Sequence, residues 1–211
     1  MKQFSRLFAG PLGALLIAVA LATLAMLVAG VSPIDGFGAL LGGSLGGPHQ
    51  IAETLVQTTS LLFPALGVTL AFRAGLFNIG AEGQLLLGGL FAGALGARLN
   101  LPSVVEIPIL LLAGLVGGGA WGALAGWMKA RLQANEIIST LMLNFVALSL
   151  ANYLVSGPLR SSVAAGAELA PVRQGGILPV LLPDTRLTVA LLLAIALAVL
   201  LRFVLKQTVF G

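Results

Sequence analysis

The residues that could do chemistry are the polar ones set into otherwise apolar sequence. Asn78, Glu82 and Gln84 open one such stretch, and Glu136, Thr140 and Asn144 recur at four-residue steps in another. On a helix of about 3.6 residues per turn, steps of four keep the three side chains within roughly one quadrant, flanked here by Asn135 and Ser139. A stripe of amides and hydroxyls can serve a neighbouring helix with hydrogen bonds, or it can line a solvated translocation path. A carboxylate at a bilayer centre costs about 2.5–3.5 kcal/mol on insertion scales, so Glu82 and Glu136 are expected to be kept off lipid. Asn78 and Glu82, four apart, would share a helix face; an Asn at the entry and an acid in the first turn also suit an N-terminal cap and the positive end of the helix dipole. Glu53 and Gln57, at the start of another apolar run, read as interfacial.

Signals for covalent chemistry are weaker. Gly42-Gly43-Ser44-Leu45-Gly46 has the form of a nucleophile elbow, and the single histidine, His49, lies nearby. That motif works in a strand-turn-helix setting, whereas this is a glycine-rich stretch, so an intramembrane hydrolase built on Ser44 and His49 is the weakest of the functional classes considered. The chain has no G-x-x-x-x-G-K-[ST] phosphate loop. One histidine, no cysteine and scattered carboxylates offer no ligand set for a metal, and no cofactor is expected. The reading is therefore of a non-enzyme.

The elements that must carry these residues follow from hydropathy. Of 211 residues, 58% are hydrophobic and 9% charged, against about 25% charged in soluble domains. Six runs are long and apolar in a chain whose mean hydropathy is +1.07: Gly10–Val31, Ile51–Phe72, Ile79–Ala97, Val104–Met128, Ile137–Ser156 and Leu187–Leu205. A helical span needs about 20 apolar residues. The fold class expected is all-α, a polytopic transmembrane bundle of about six spans forming one domain over residues 1–211. The first run is too long for a signal-peptide core. Ser32–Gln50 reads as a loop with room for a re-entrant or interfacial piece, Pro64 predicts a bend or break in the second span, and Gly157–Arg186 is a long mixed-polarity loop.

With the N-terminus inside, Lys2, Arg6, Arg73, Lys129, Arg131, Arg202 and Lys206 fall on the cytoplasmic side and Arg98, Arg160, Arg173 and Arg186 outside, seven against four. The positive-inside rule then favours both termini in the cytoplasm of a multi-pass protein. The net charge of +4 is a topology signal, with no basic, aromatic-interleaved patch to suggest nucleic acid. Gly114, Gly118, Gly122 and Gly126 form a backbone ridge on the fourth span, and Gly88, Ala92, Gly96 and Gly89, Gly93, Ala97 form two rows on the third; such rows permit close helix packing.

Three segments carry a family resemblance. Ala71-Phe72-Arg73-Ala74-Gly75-Leu76-Phe77-Asn78-Ile79-Gly80-Ala81-Glu82-Gly83-Gln84 resembles the signature of permease subunits of bacterial ABC importers of the simple-sugar and nucleoside type, within the branched-chain amino acid permease superfamily. Asn135-Glu136-Ile137-Ile138-Ser139-Thr140-Leu141-Met142-Leu143-Asn144, running on to Ser156-Gly157-Pro158-Leu159, is the second. The third is Pro183-Asp184-Thr185-Arg186-Leu187 with Gln207-Thr208-Val209-Phe210-Gly211. The resemblance covers residues 50–211 and looks most like the nucleoside branch; branched-chain amino acid permeases are less similar around Glu82 and Gln84. It implies a cytoplasmic-membrane permease that lines part of a translocation path, with Asn78, Glu82, Gln84, Asn135, Glu136, Ser139, Thr140 and Asn144 as candidate path residues. It implies as partners an ATP-binding subunit that hydrolyses ATP, a second homologous permease, an extracytoplasmic binding protein and the lipid bilayer, but no nucleic acid. It also implies that the chain is the N-terminal part of a longer permease. The other classes weighed are a branched-chain amino acid permease and a structural membrane subunit that transports nothing.

Overall fold

In lipid every backbone N–H and C=O must find a partner inside the protein, which leaves the apolar runs of this chain little choice but helix. The computed structural model describes residues 2–161 and 166–207, with side chains from residue 12 onward. Thr208–Gly211 of the third signature segment lie outside the described residues. The helices are α1 (Lys2–Val28), α2 (Pro33–Leu45), α3 (Pro48–Arg73), α4 (Ala81–Gly96), α5 (Ser103–Leu132), α6 (Glu136–Ser156) and α7 (Ala190–Gln207). All six apolar runs are recovered as helices, and α2 is added to them. The chain divides into two units, residues 1–54 and 55–211.

In the first unit, the expected Ser32–Gln50 loop is corrected to helix over most of its length. Pro33 occupies the first turn, where its missing N–H costs nothing, and α2 then runs at 115° to the Leu12–Val28 part of α1. Gly30, at φ +73°, makes the turn between them. Gly36 lets Met26 approach, since a Cβ there would lie 2.6 Å from its sulfur.

Among the described residues, α3, α5, α6 and α7 are each long and apolar enough to cross a bilayer, or five spans are counted if the Leu12–Val28 part of α1 and α2 act as one bent span. The predicted break at Pro64 is not seen: α3 continues through it as one helix, because a proline removes a single backbone bond and a membrane helix tolerates that loss. Pro108 is likewise inside α5. α4 has only 16 residues, or about 24 Å at 1.5 Å per residue, against a hydrocarbon core of about 30 Å. Of the expected third run, Ile79 to Ala97, only Ile79, Gly80 and Ala97 stay outside the helix.

α4 packs most intimately on α5, and glycine permits it. A Cβ on Gly88 would lie 2.8 Å from the Gly114 carbonyl oxygen, and one on Gly118 would lie 2.8 Å from that of Gln84. Gly122 faces the Gln84 side chain at 3.2 Å, whereas Gly126 has nothing within 4 Å and takes no part in the contact. The ridge simply outruns its partner, because α4 begins at Ala81. Leu87 and Leu90 of α4 meet Ala147 and Ala151 of α6 in the core, with Trp121, Leu154, Leu159 and Leu169 around them. Beyond α6 the long connection carries isolated bridges, Arg160 to Leu169 and Val180 to Thr188, and a 3₁₀ turn at Gln174–Gly176. Large apolar side chains such as Leu112, Leu115 and Phe145 remain exposed, as a lipid-facing surface requires.

Candidate functional site

The site is built where the non-helical Ala74–Gly80 segment and the first turn of α4 run beside the first turns of α6. Gly75, at φ +74°, turns the chain out of α3, and Phe72 and Phe77 then meet edge to face at 5.3 Å. Once helix is abandoned, the backbone groups of this segment need partners from elsewhere. The Glu136, Thr140 and Asn144 stripe supplies them. The Phe77 N–H donates to Glu136 Oε1 at 3.1 Å, and the Ile79 N–H donates to Thr140 Oγ1 at 3.3 Å. Asn144 takes the Gly83 N–H on Oδ1 at 2.9 Å and donates from Nδ2 to the Ile79 carbonyl at 3.0 Å. Three rungs one helical turn apart thus hold the break against α6.

A second layer is made by two amides. Asn78 Oδ1 accepts the Gly80 N–H at 3.0 Å, and Gln84 Nε2 lies 3.3 Å from the same oxygen, while Asn78 Nδ2 faces Gln84 Oε1 at 3.5 Å. The expected N-cap role of Asn78 is therefore corrected: Gly80 is the cap residue of α4, and Asn78 stands outside the helix in a local turn. For the same reason Asn78 and Glu82 do not share a helix face. Glu82 lies exposed in the first turn of α4, at the positive end of its dipole.

Of the remaining candidates, Asn135 is the N-cap of α6, accepting the Ile137 and Ile138 N–H groups at 3.0 and 3.4 Å. Ser139 is buried and donates to the Glu136 carbonyl at 3.3 Å. Both side chains are engaged by their own helix. Glu136 Oε2 faces Lys129 Nζ of α5 at 3.6 Å, an ion pair that ties the far end of α5 to the start of α6 across the left-handed Gln133. The structure thus joins Asn78, Gln84, Glu136, Thr140 and Asn144 and leaves Glu82 apart. Ser44, the elbow candidate, lies within α2 and donates to the Leu40 carbonyl at 2.8 Å, so its setting is helical.

Two residues escaped the sequence reading. Glu106 is wholly buried in the first turn of α5. Its Oε2 accepts the Leu101 N–H at 2.8 Å, and its Oε1 has no partner among the described residues. Gly175 and Gly176 leave room for this carboxyl, since a Cβ on Gly175 would lie 2.5 Å from Oε2. Its signal was in plain view as the only acid in the fourth apolar run. Trp121 was the other: its buried Nε1 has no partner among the described residues and lies 3.1 Å from where a Gly83 Cβ would stand.

The arrangement holds no clustered ligand set for a metal among the described residues. It offers neutral amides and a hydroxyl next to an interrupted helix, which suits hydrogen bonding to an uncharged polar solute.

Comparison with known proteins places the sequence in a family. The family described as branched-chain amino acid transport system / permease component matches residues 50–211. The chain is 35% identical to the guanosine ABC transporter permease protein NupP of Bacillus subtilis, over 100% of its own length and 61% of that protein. It is 36% identical to a glucose ABC transporter permease protein of Haloferax volcanii, over 80% of this chain and 44% of the relative. It is 30% identical to the nucleoside ABC transporter permease protein NupB of Lactococcus lactis, over 77% of this chain and 45% of the relative. The chain therefore spans about three fifths or less of the curated relatives it matches. No solved structure matches it at a significant level.

Proposed function

This chain belongs to the family of permease components of branched-chain amino acid transport systems, and we propose that it is a permease subunit of an ATP-driven importer for nucleosides or simple sugars. The observation that carries the reading is the likeness to a guanosine permease along the whole of this chain. The amide pair Asn78 and Gln84 supports it, because a nucleoside or sugar is uncharged and is recognised by neutral donors and acceptors, while Thr140 and Asn144 hold the backbone that carries the pair. In this reading the chain performs no bond chemistry. A separate ATP-binding subunit hydrolyses ATP, a second homologous permease completes the pore, and an extracytoplasmic binding protein delivers the solute to a cytoplasmic membrane in which the N-terminus faces inward. Outward and inward states alternate, and the interrupted segment Ala74–Gly80 is the part of this chain that lines the path.

Uptake of labelled guanosine in source cells with and without the intact gene tests it, with unlabelled uridine, ribose, glucose and leucine as competitors. Gene-dependent uptake competed by uridine supports the nucleoside reading. The glucose permease among the relatives favours a second reading, and competition by glucose or ribose in place of uridine would select it. Competition by leucine alone would move the cargo to amino acids, and uptake that ignores the gene would overturn the transport reading.

A further inference from the structure

We propose that a slot between α4, α5 and α6 seats one acyl chain of an anionic phospholipid, with the lipid phosphate on Arg98. The slot has a volume of about 300 Å³ and is lined by Leu90, Phe91, Leu95, Ala113, Leu154 and Leu159, with Arg98 as its charged member. Along α4 the lining runs from Leu90 to Arg98, which at 1.5 Å per residue is about 12 Å. Half of a hydrocarbon core is about 15 Å. A groove that is polar at the helix end and apolar for that depth has the layout of a phospholipid in one leaflet.

Charge selects the occupant. Arg98 is exposed just past the end of α4 and makes no ion pair with any described residue. The chain brings two more arginines to the same end: the Arg173 N–H donates to the Gly96 carbonyl at 3.1 Å, and Arg160 follows Leu159 of the lining. The acids there are the exposed Glu168, whose carbonyl accepts the Ser161 N–H, and the buried Glu106. A partner helix would have to bring a matching acid to that depth, whereas a phospholipid places a phosphate there by construction. A second cavity of about 340 Å³, between α4, α5 and Ile177, has no charged residue in its lining and so selects nothing. The inference does not depend on what the chain transports.

Native mass spectrometry of the full chain in detergent, titrated with phosphatidylglycerol or phosphatidylcholine of identical acyl chains, tests it. One phosphatidylglycerol should be retained in preference to phosphatidylcholine. Arg98→Gln, at an exposed position, should lower phosphatidylglycerol retention about fivefold, the share of one arginine near a lipid surface. Ala94→Phe, which fills the slot, should remove one adduct of either lipid, and Arg202→Gln on α7 should change nothing. Unchanged phosphatidylglycerol binding in Arg98→Gln would overturn the proposal. So would a cysteine at position 94 that crosslinks to a protein partner and excludes lipid.

Discussion

Asn144 carries more of this structure than its size suggests. Its amide holds the Gly83 N–H and the Ile79 carbonyl together, two backbone groups that a continuous helix would have paired by itself. Interhelical hydrogen bonds in membranes average only about 0.6 kcal/mol, because a helix freed from one partner finds another. The segment before α4 cannot do so, and an orphaned buried backbone group costs about 1–3 kcal/mol. Asn144 is half-buried, so water offsets part of this. Asn144→Ala should therefore lower stability by about 1–2 kcal/mol and reduce uptake while leaving membrane insertion intact, as read from thermal unfolding in detergent and transport in cells. Wild-type uptake from this variant would remove the residue from the path. Glu106 makes a separable case. Glu106→Gln keeps an oxygen for the Leu101 N–H, whereas Glu106→Ala removes that bond, so only the alanine variant should lose about 0.5–1.5 kcal/mol in the same unfolding assay. The stripe was legible in the sequence as residue types at a helical step. Its partner was not, because Asn144 and Gly83 stand 61 positions apart and local periodicity says nothing about such pairs.

At the scale of elements, the α4–α5 contact rests on atoms that are absent. Gly88 and Gly118 each face a backbone carbonyl, which cannot rotate away as a side chain can. Gly118→Leu should push the helices apart at a cost of about 1–3 kcal/mol and lower the yield of folded protein, while Gly126→Leu, with open space around it, should leave yield and thermal unfolding unchanged. Equal losses from both would mean that the ridge is read by something other than α4. Four-residue glycine spacing predicted a ridge correctly but not where it ends, since the limit is set by where α4 starts and not by α5. The same blindness hid α2. Its glycines look like loop in a table of propensities, yet Pro33 in the first turn and apolar residues at Ile34, Phe37, Leu40 and Leu41 are enough for helix in an apolar setting. Of the bend or break expected at Pro64, the break is absent, because α3 runs through it as one helix and a membrane helix tolerates the lost backbone bond.

For the molecule as a whole, the property that decides how every polar residue is used is which end of α4–α7 meets the cytoplasm. Arg73 ends α3, Lys129 and Arg131 lie in the last turn of α5, and Arg202 and Lys206 lie near the end of α7. Arg98, Arg160, Arg173 and Arg186 belong to the opposite connections. Arginine is divided between the ends, but both lysines of this unit sit on the first, and that asymmetry is what a translocating chain obeys. In the orientation proposed above, the Lys129–Glu136 pair and the entry to the polar break fall on the cytoplasmic side, and the long connection after α6 on the outside. The absence of any native cysteine makes the test clean. A single cysteine at Gln133, exposed in the turn between α5 and α6, should react with a membrane-impermeant maleimide only after the cells are opened. One at Asp184, exposed in the long connection, should react in intact cells. The reverse pattern would turn the site around, so that the amides of Asn78 and Gln84 would meet incoming solute first and the arginine-rich end would face the proposed ATP-binding subunit instead of the proposed binding protein.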